Sequence, residues 1–249
     1  MKKYVFLLTI GLTLILGACG NKTEAITVLT SSGYEPYEMV DTNGNLTGFD
    51  IDLMEALAEE IGIEIEWKDA DFEGIIASLQ SGNAEIAIAG ISPSLERSLV
   101  VDFSNVYYNS ESGLSNYMLS NTTTIINSLE DLDGLIVGAQ LGTVQASLLE
   151  EISSIYNFTV DLRTTNTQII EEINSERIDV LVVENIVANS IMEANDNFDK
   201  VLLNYSTDSL NGNAIAFTKE SEYVDLFNEA LNTITENGDL DKLISKWFE

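Results

Sequence analysis

Residues 85–108 read E-I-A-I-A-G-I-S-P-S-L-E-R-S-L-V-V-D-F-S-N-V-Y-Y. Ile86, Ala87, Ile88 and Ala89 form a continuous small and apolar run that stops at Gly90, the pattern of a strand buried on both faces. A loop follows at once, with hydroxyls at Ser92 and Ser94, a stiffening Pro93, and then Arg97. Between Ala25 and Asn109 the only other basic residue is Lys68, so Arg97 stands among acids and calls for an anion. The loop at the carboxyl end of a parallel strand is where open α/β sheets bind ligands, and Gly90 admits a close approach to the backbone. An arginine fork beside a serine hydroxyl suits a carboxylate, held by two parallel charge-assisted hydrogen bonds. A surface ion pair with Glu96 or Asp102 accounts for the same spacing, and spacing alone does not choose between the two.

Outward from this stretch the pattern alternates. Ala25–Thr30 reads as a strand, followed by the loop Ser31-Ser32-Gly33-Tyr34-Glu35-Pro36-Tyr37, and Asn43-Gly44 reads as a turn. Ile51, Met54, Leu57, Ala58 and Ile61 recur at helical spacing until Gly62 stops them, and Glu64–Trp67 is the next strand. Asp71 stands where it can cap a helix bearing Ile75, Ile76 and Leu79, which Ser81-Gly82-Asn83 turns into the Glu85 strand. Strand, helix, strand, helix, strand implies a parallel sheet with crossover helices.

After Tyr107-Tyr108 the rhythm restarts. Leu135–Ala139 is a strand, Gln140-Leu141-Gly142-Thr143 a loop and Thr143–Ile152 a helix; Thr159–Arg163, Thr167–Ile173 and Ile178–Val183 complete a second set that ends at Glu184. No Pro/Gly-rich linker separates the sets, so the joins near Asn109–Ser115 and Ser206–Asn213 are expected to be short, strand-like crossings. Ala214–Phe217 reads as a strand returning to the first unit. Two helical stripes follow, Phe227/Ala230/Leu231/Ile234 and Leu240/Leu243/Ile244/Trp247, both of core type.

The chain has 249 residues, 45% of them hydrophobic, enough for two real cores. Lys2 and Lys3 precede an apolar run from Val5 to Leu16 and then Leu16-Gly17-Ala18-Cys19, a secretory signal in form and short for a membrane span. An uncleaved anchor helix is the alternative, and it too places the protein at a membrane. Cys19 is the only cysteine and there is no histidine, which excludes disulfide frameworks, Ser-His-Asp and Cys-His catalysis, and histidine-containing metal sites. Loss of the leader removes two lysines and no acid, taking the net charge from −30 to −32. Nucleic acid, which is bound by neutralising phosphates, is not an expected partner.

Several stretches together resemble a known family: G-F-D-I-D-L at 48–53, D-F-E-G-I-I-A-S-L-Q-S-G at 71–82, A-G-I-S-P-S-L-E-R at 89–97, V-D-F-S-N-V-Y-Y at 101–108, V-G-A-Q-L-G-T at 137–143, I-D-V-L-V-V-E-N at 178–185, and the closing Trp247-Phe248. In colinear order over nearly the whole chain they look like the polar amino-acid family of bacterial solute-binding proteins that serve ABC importers. The ending at Cys19 resembles the lipobox of bacterial lipoproteins, in which that cysteine is lipidated and becomes the mature N-terminus.

The resemblance implies an α/β protein of periplasmic-binding-protein type II. Two Rossmann-like lobes joined by two short crossings would close on an amino acid in the cleft between them. It divides the chain into a signal peptide (1–18), a tether (19–24), lobe 1 (25–110 and 209–249) and lobe 2 (111–208). It places the ligand α-carboxylate on Arg97, with Gly90, Ser92 and Ser94 adding contacts. Tyr34 and Phe72 would cover the side chain, and backbone donors would come from near Thr143 and Val144 at a helix N-terminus. Glu184, where many relatives have aspartate, would take the α-ammonium. Ser31 stands where several cation-binding relatives carry an acid, whereas Gln140 with Glu184 is similar to members that take arginine. Arginine and glutamine are therefore the favoured ligands. No cofactor and no metal are implied. The partners are membrane-spanning importer subunits and, through the lipid on Cys19, the bilayer; the protein is expected to be a monomer on the outer face of the cell membrane. The resemblance also admits a cyclohexadienyl dehydratase-like enzyme on the same fold, with Glu184 as general acid, and a stand-alone ligand-sensing module.

Overall fold

The computed structural model describes residues 25–205 and 212–249. The expected signal, Cys19 and tether lie outside the described residues, as do positions 206–211 of the second crossing.

Along the chain, β1 (Ile26–Thr30) leads through a hairpin of β2 (Met39–Val40) and β3 (Leu46–Thr47) to α1 (Phe49–Ile61) and β4 (Ile65–Asp69). A 3-10 turn at Phe72–Gly74 runs into α2 (Ile75–Gln80), then come β5 (Ile86–Ala87), α3 (Leu95–Ser98) and β6 (Val101–Phe103). After α4 (Glu111–Leu114) the second set comprises β7 (Asn116–Asn121), β8 (Ile136–Gln140), α5 (Val144–Tyr156), β9 (Thr159–Arg163), α6 (Asn166–Asn174), β10 (Val180–Glu184), α7 (Asn185–Ala194) and β11 (Phe198–Leu202). The chain returns in β12 (Ala216–Thr218) and ends with α8 (Tyr223–Glu236) and α9 (Asp239–Phe248).

Two five-stranded sheets result, ordered β4-β1-β5-β12-β6 and β9-β8-β10-β7-β11. In the first, β1 is parallel to β4 and β5, and β12 is antiparallel to β5 and β6. In the second, β8 is parallel to β9 and β10, and β7 is antiparallel to β10 and β11. Each sheet thus takes one antiparallel strand from the chain just after a crossing. The α/β class and two-lobed architecture agree with the expectation.

Each sheet is covered by the helices whose spacing announced them. In α1, Leu53, Met54 and Leu57 are fully buried, each worth roughly 1.5–3 kcal/mol of burial. The α8 stripe of Phe227, Ala230, Leu231 and Ile234 is buried as expected, with Phe227 edge-on to Phe217 of β12. The last helix is pinned by Trp247 Nε1, which donates to Asp52 Oδ2 of α1 at 2.7 Å, and by Phe248, whose ring lies 4.5 Å from that of Phe49.

Three local expectations are corrected. The first crossing is not strand-like: Ser110 accepts from Gly113 N at 3.2 Å and caps the helical turn α4. Asp71 makes no side-chain cap, because the chain enters α2 through the 3-10 turn. The Ile86–Ala89 strand is shorter than its apolar run. Ile88 N still donates to Leu29 O at 2.9 Å, but at Gly90 the backbone is drawn out of the sheet by side chains.

Candidate functional site

Between the two sheets lies a cavity enclosing about 280 Å³ of atom-free space, its mouth included. Nine of the eleven ligand-facing positions expected from the sequence line it: Tyr34, Phe72, Gly90, Ser92 and Arg97 from lobe 1, and Gln140, Thr143, Val144 and Glu184 from lobe 2. The other two do not. Ser94 is the N-cap of α3 and accepts from Arg97 N at 3.1 Å, while Ser31 is buried at the end of β1 away from the cavity wall.

Arg97 stands on the single turn of α3, and its Nη1 donates to Ser92 O at 2.7 Å. Its guanidinium carbon sits 5.5 Å from the Phe72 ring centroid, a cation–π contact that orients the fork. Nη2 crosses the cleft to Gly142 O at 2.9 Å. Neither Glu96 nor Asp102 forms an ion pair with it; Asp102 is taken by Lys219 at 2.6 Å. Burial pulls the guanidinium pKa below its ordinary value, with Glu96 opposing. A half-buried cation whose fork rests on carbonyls has donors that an anion can use.

The lobe 2 wall is built at the start of α5. Thr143 caps the helix, its Oγ1 accepting from Ala146 N at 3.1 Å and donating to Gln140 O at 2.6 Å. The Thr143 N–H turns back to Gln140 O at 3.3 Å, so it is not the cleft donor that was expected. Val144 and Gln145 open the helix on the cavity wall, where first-turn amides lack intrahelical acceptors. Gln140 Nε2 donates to Thr164 O at 3.0 Å, which holds the side chain against the wall.

Glu184 ends β10, in register with Asn116 of β7, and is 3% exposed. It is the N-cap residue of α7 but makes no side-chain cap, so balancing that helix does not account for it. Burial raises its pKa to about 8, moderated by hydrogen bonds from Tyr34 and Tyr37, and its Oε2 has no partner. Opposite it, Tyr34 stacks on Tyr37 with ring centroids 5.5 Å apart. A buried acid with an unmet oxygen at one end and an arginine fork at the other are what a zwitterion requires.

The sequence reading missed Gln145, Asp50 and Asn213. Gln145 lines the cavity and donates to Asn116 Oδ1 at 2.9 Å; its signal was its place beside Val144 in the first turn of α5. Asp50 falls four residues before Met54, on the apolar stripe of α1, and an acid on a buried stripe marks a polar task inside. Asn213, whose Nδ2 donates to Gly90 O at 2.7 Å, carries no such signal. Among the described residues no group of three or more metal-ligating side chains is assembled, and no helix is long and apolar enough to cross a membrane.

Two α/β lobes enclosing a cleft that opposes a cation to an acid define a solute-binding architecture of periplasmic-binding-protein type II. The family model for bacterial extracellular solute-binding proteins, family 3, matches residues 26–249, and the chain belongs to that family. It is 37% identical over 257 aligned positions to the arginine-binding extracellular protein ArtP of Bacillus subtilis (strain 168), covering 100% of this chain and 98% of ArtP. Among solved structures, an ancestral arginine-binding protein bound to arginine superposes with a TM-score of 0.83 at 33% identity, over 90% of this chain and 98% of that one. An ancestral arginine-binding protein bound to glutamine gives 0.82 at 33% identity, over 90% and 97%. These relatives are named as binding proteins, not enzymes.

Proposed function

We propose that this chain captures a polar amino acid outside the cell by closing its lobes on it, and delivers it to the membrane-spanning subunits of an ABC importer. The observation that carries this reading is the opposition of Arg97 and Glu184 across one cavity, each on a different lobe. The ligand carboxylate takes the Arg97 fork together with Ser92 and the backbone near Gly90 and Val144, and the ligand ammonium takes Glu184. Tyr34 and Phe72 cover the side chain, with the Gln140 amide beside it. Lobe 1 is read as residues 25–110 and 209–249 and lobe 2 as 111–208, the crossings absorbing the rotation between them. Arginine is the favoured ligand and glutamine the next, a choice supported by the names of the relatives above.

The N-terminal reading completes the proposal: cleavage before Cys19, a lipid on its sulfur and a monomer held on the outer face of the cell membrane. A diacylglyceryl group supplies two chains, and two membrane signals suffice where one is marginal. Native mass spectrometry of protein purified without refolding tests the ligand. A retained or added mass of one arginine or glutamine is expected, and failure to bind any of the twenty amino acids at millimolar concentration would overturn the reading.

A further inference from the structure

Below the cavity, lobe 1 buries two carboxyl groups that the binding reading does not use. Gly48 brings them together. A Cβ there would lie 2.1 Å from Tyr37 O and 2.9 Å from Glu38 Cα, so only glycine lets the end of β3 rest on the Tyr37–Glu38 backbone. Phe49 N and Asp50 N then donate to Pro36 O and Tyr37 O, at 3.0 and 2.9 Å, which sets the first turn of α1 beside Glu38. Glu38 and Asp50 are both fully buried, and their carboxyl groups are close enough for a proton on one to bridge to the other.

Two carboxylates have only acceptors to offer each other. As charged groups they leave both oxygens of Glu38 and Oδ1 of Asp50 without a donor. Their surroundings differ: Asp50 Oδ2 accepts from Gly90 N at 2.6 Å and from the Tyr107 hydroxyl at 3.0 Å, whereas Glu38 receives no donor. A negative charge is therefore better placed on Asp50 and a proton on Glu38, as in carboxyl pairs too close for both to ionise.

We propose that Glu38 and Asp50 share one buried proton and, through Asp50, hold the Gly90 peptide in the geometry it presents to the ligand, which makes both of them positioning residues for binding. The carbonyl of the same residue, in the next peptide, is held by Asn213, which also accepts from the Tyr37 hydroxyl at 3.3 Å and pairs with Tyr108 in an isolated antiparallel bridge. Gly90 is thus clamped between the acid pair and the point where the two crossings meet. Burial raises Asp50 to about 7 and pushes Glu38 well above the carboxylate range, with Asp50, Asp69 and Glu184 adding to the second effect. Tyr34, Tyr37 and Tyr107 also face the pair. The role in binding rests on the cleft reading given above; the shared proton does not.

The test is a pH titration of the Gly90 amide resonance in glycine-labelled protein from about pH 6 to about pH 10, in a Glu184→Gln background that silences the nearest other buried acid. Wild-type Gly90 is expected to shift as the shared proton leaves. Glu38→Gln, whose amide donates without titrating, is expected to abolish the step at high pH and leave only the step of Asp50 itself near pH 7. Tyr107→Phe removes a donor that stabilises the carboxylate and is expected to move the shift to higher pH, which keeps the test decisive should Glu38→Gln fail to fold. With Glu184 intact and L-arginine as probe, Glu38→Ala is expected to weaken binding roughly tenfold and Glu38→Gln to recover most of that loss. A Gly90 shift that survives Glu38→Gln unchanged, or that never occurs in wild type, overturns the shared proton. If wild type binds neither L-arginine nor L-glutamine, the ligand reading fails while the Gly90 titration still decides the pair.

Discussion

The two lobes share one strand order and carry opposite chemistry. β5 and β10 occupy the same place in their sheets, third after two parallel neighbours, and each is flanked by an antiparallel strand that has just crossed from the other lobe. Beyond β5 the chain loops through Gly90–Ser94 into one short turn, so a long side chain, Arg97, reaches back to the cleft. Beyond β10 it passes directly into the ten-residue α7, and the acid is the last strand residue itself, Glu184. Topology places a group at each of these ends, while the local path decides how long the side chain must be. A cation and an acid that follow equivalent strands of the two sheets thus face one cavity from opposite sides.

The largest expected effect breaks the comparison on the lobe 1 side. Arg97→Ala removes both the carboxylate fork and the cross-cleft bond to Gly142 O. Truncating one partner of a buried charge pair costs about 2–5 kcal/mol, a loss of roughly 30-fold to several thousandfold in affinity. Titration calorimetry measures it, and an unchanged melting temperature without ligand shows that the fold is intact. Unaltered affinity would remove Arg97 from the site.

Glu184 is the matching probe in lobe 2, and there the effect is on pH dependence. Its pKa in the folded protein is about 8, against about 4.5 for an unburied glutamate, so the folded chain holds its proton more tightly than the unfolded chain does. Its contribution to stability is fully present below about pH 4.5 and is lost as pH rises through about 8. Each unit of such a shift is about 1.4 kcal/mol, so a few kcal/mol are at stake by about pH 9. The melting temperature of unliganded protein is therefore expected to fall more steeply with pH in wild type than in Glu184→Gln. Parallel curves for the two proteins would mean that Glu184 is not buried without its cation.

These contrasts show which parts of the molecule were legible in sequence. The alternation of apolar runs with helical stripes sufficed for the α/β lobes, because strands buried on both faces and amphipathic helices leave periods that survive any tertiary detail. Arg97 and Glu184 line the cavity where the family resemblance puts them, whereas spacing alone left Arg97 open between a ligand contact and a surface ion pair and gave Glu184 no role beyond the end of a strand. The first crossing was not legible. Ser110 caps a turn of only four residues, too short for a periodic signal, and in its place an extended segment is the simpler reading. Ser94 has the residue type of a ligand contact, yet a serine three residues before a helical N–H is equally an N-cap, and the structure uses it so. Asn213 and Glu38 matter only through partners 123 and 12 residues away, at Gly90 and Asp50, and no local pattern joins such pairs.

The smallest expected effect sharpens the comparison at the point where the lobes touch. Gly142 has φ of +81°, and a Cβ on it would come within 2.8 Å of Glu73 Cα and 3.1 Å of Glu73 Cβ, atoms of the opposite lobe. Within lobe 2 a Gly142→Ala change meets only the cost of a left-handed alanine, about 1–2 kcal/mol. In the closed form it must also push away a backbone that belongs to the other lobe, so the added penalty falls on closure rather than on folding. A ligand shifts an open–closed equilibrium only by its differential affinity for the two forms, and a steric penalty on the closed form subtracts directly from it. Affinity is therefore expected to drop by roughly tenfold, that is by about 1.4 kcal/mol, with the Arg97 and Glu184 contacts chemically intact. Small-angle scattering provides the decisive measurement: at equal sub-saturating ligand, Gly142→Ala should keep a larger radius of gyration than wild type, and at saturation the difference should narrow. Loss of affinity with no change in compaction would place the damage in the α5 cap that Gly142 precedes, and would remove the Glu73 contact from the closing mechanism.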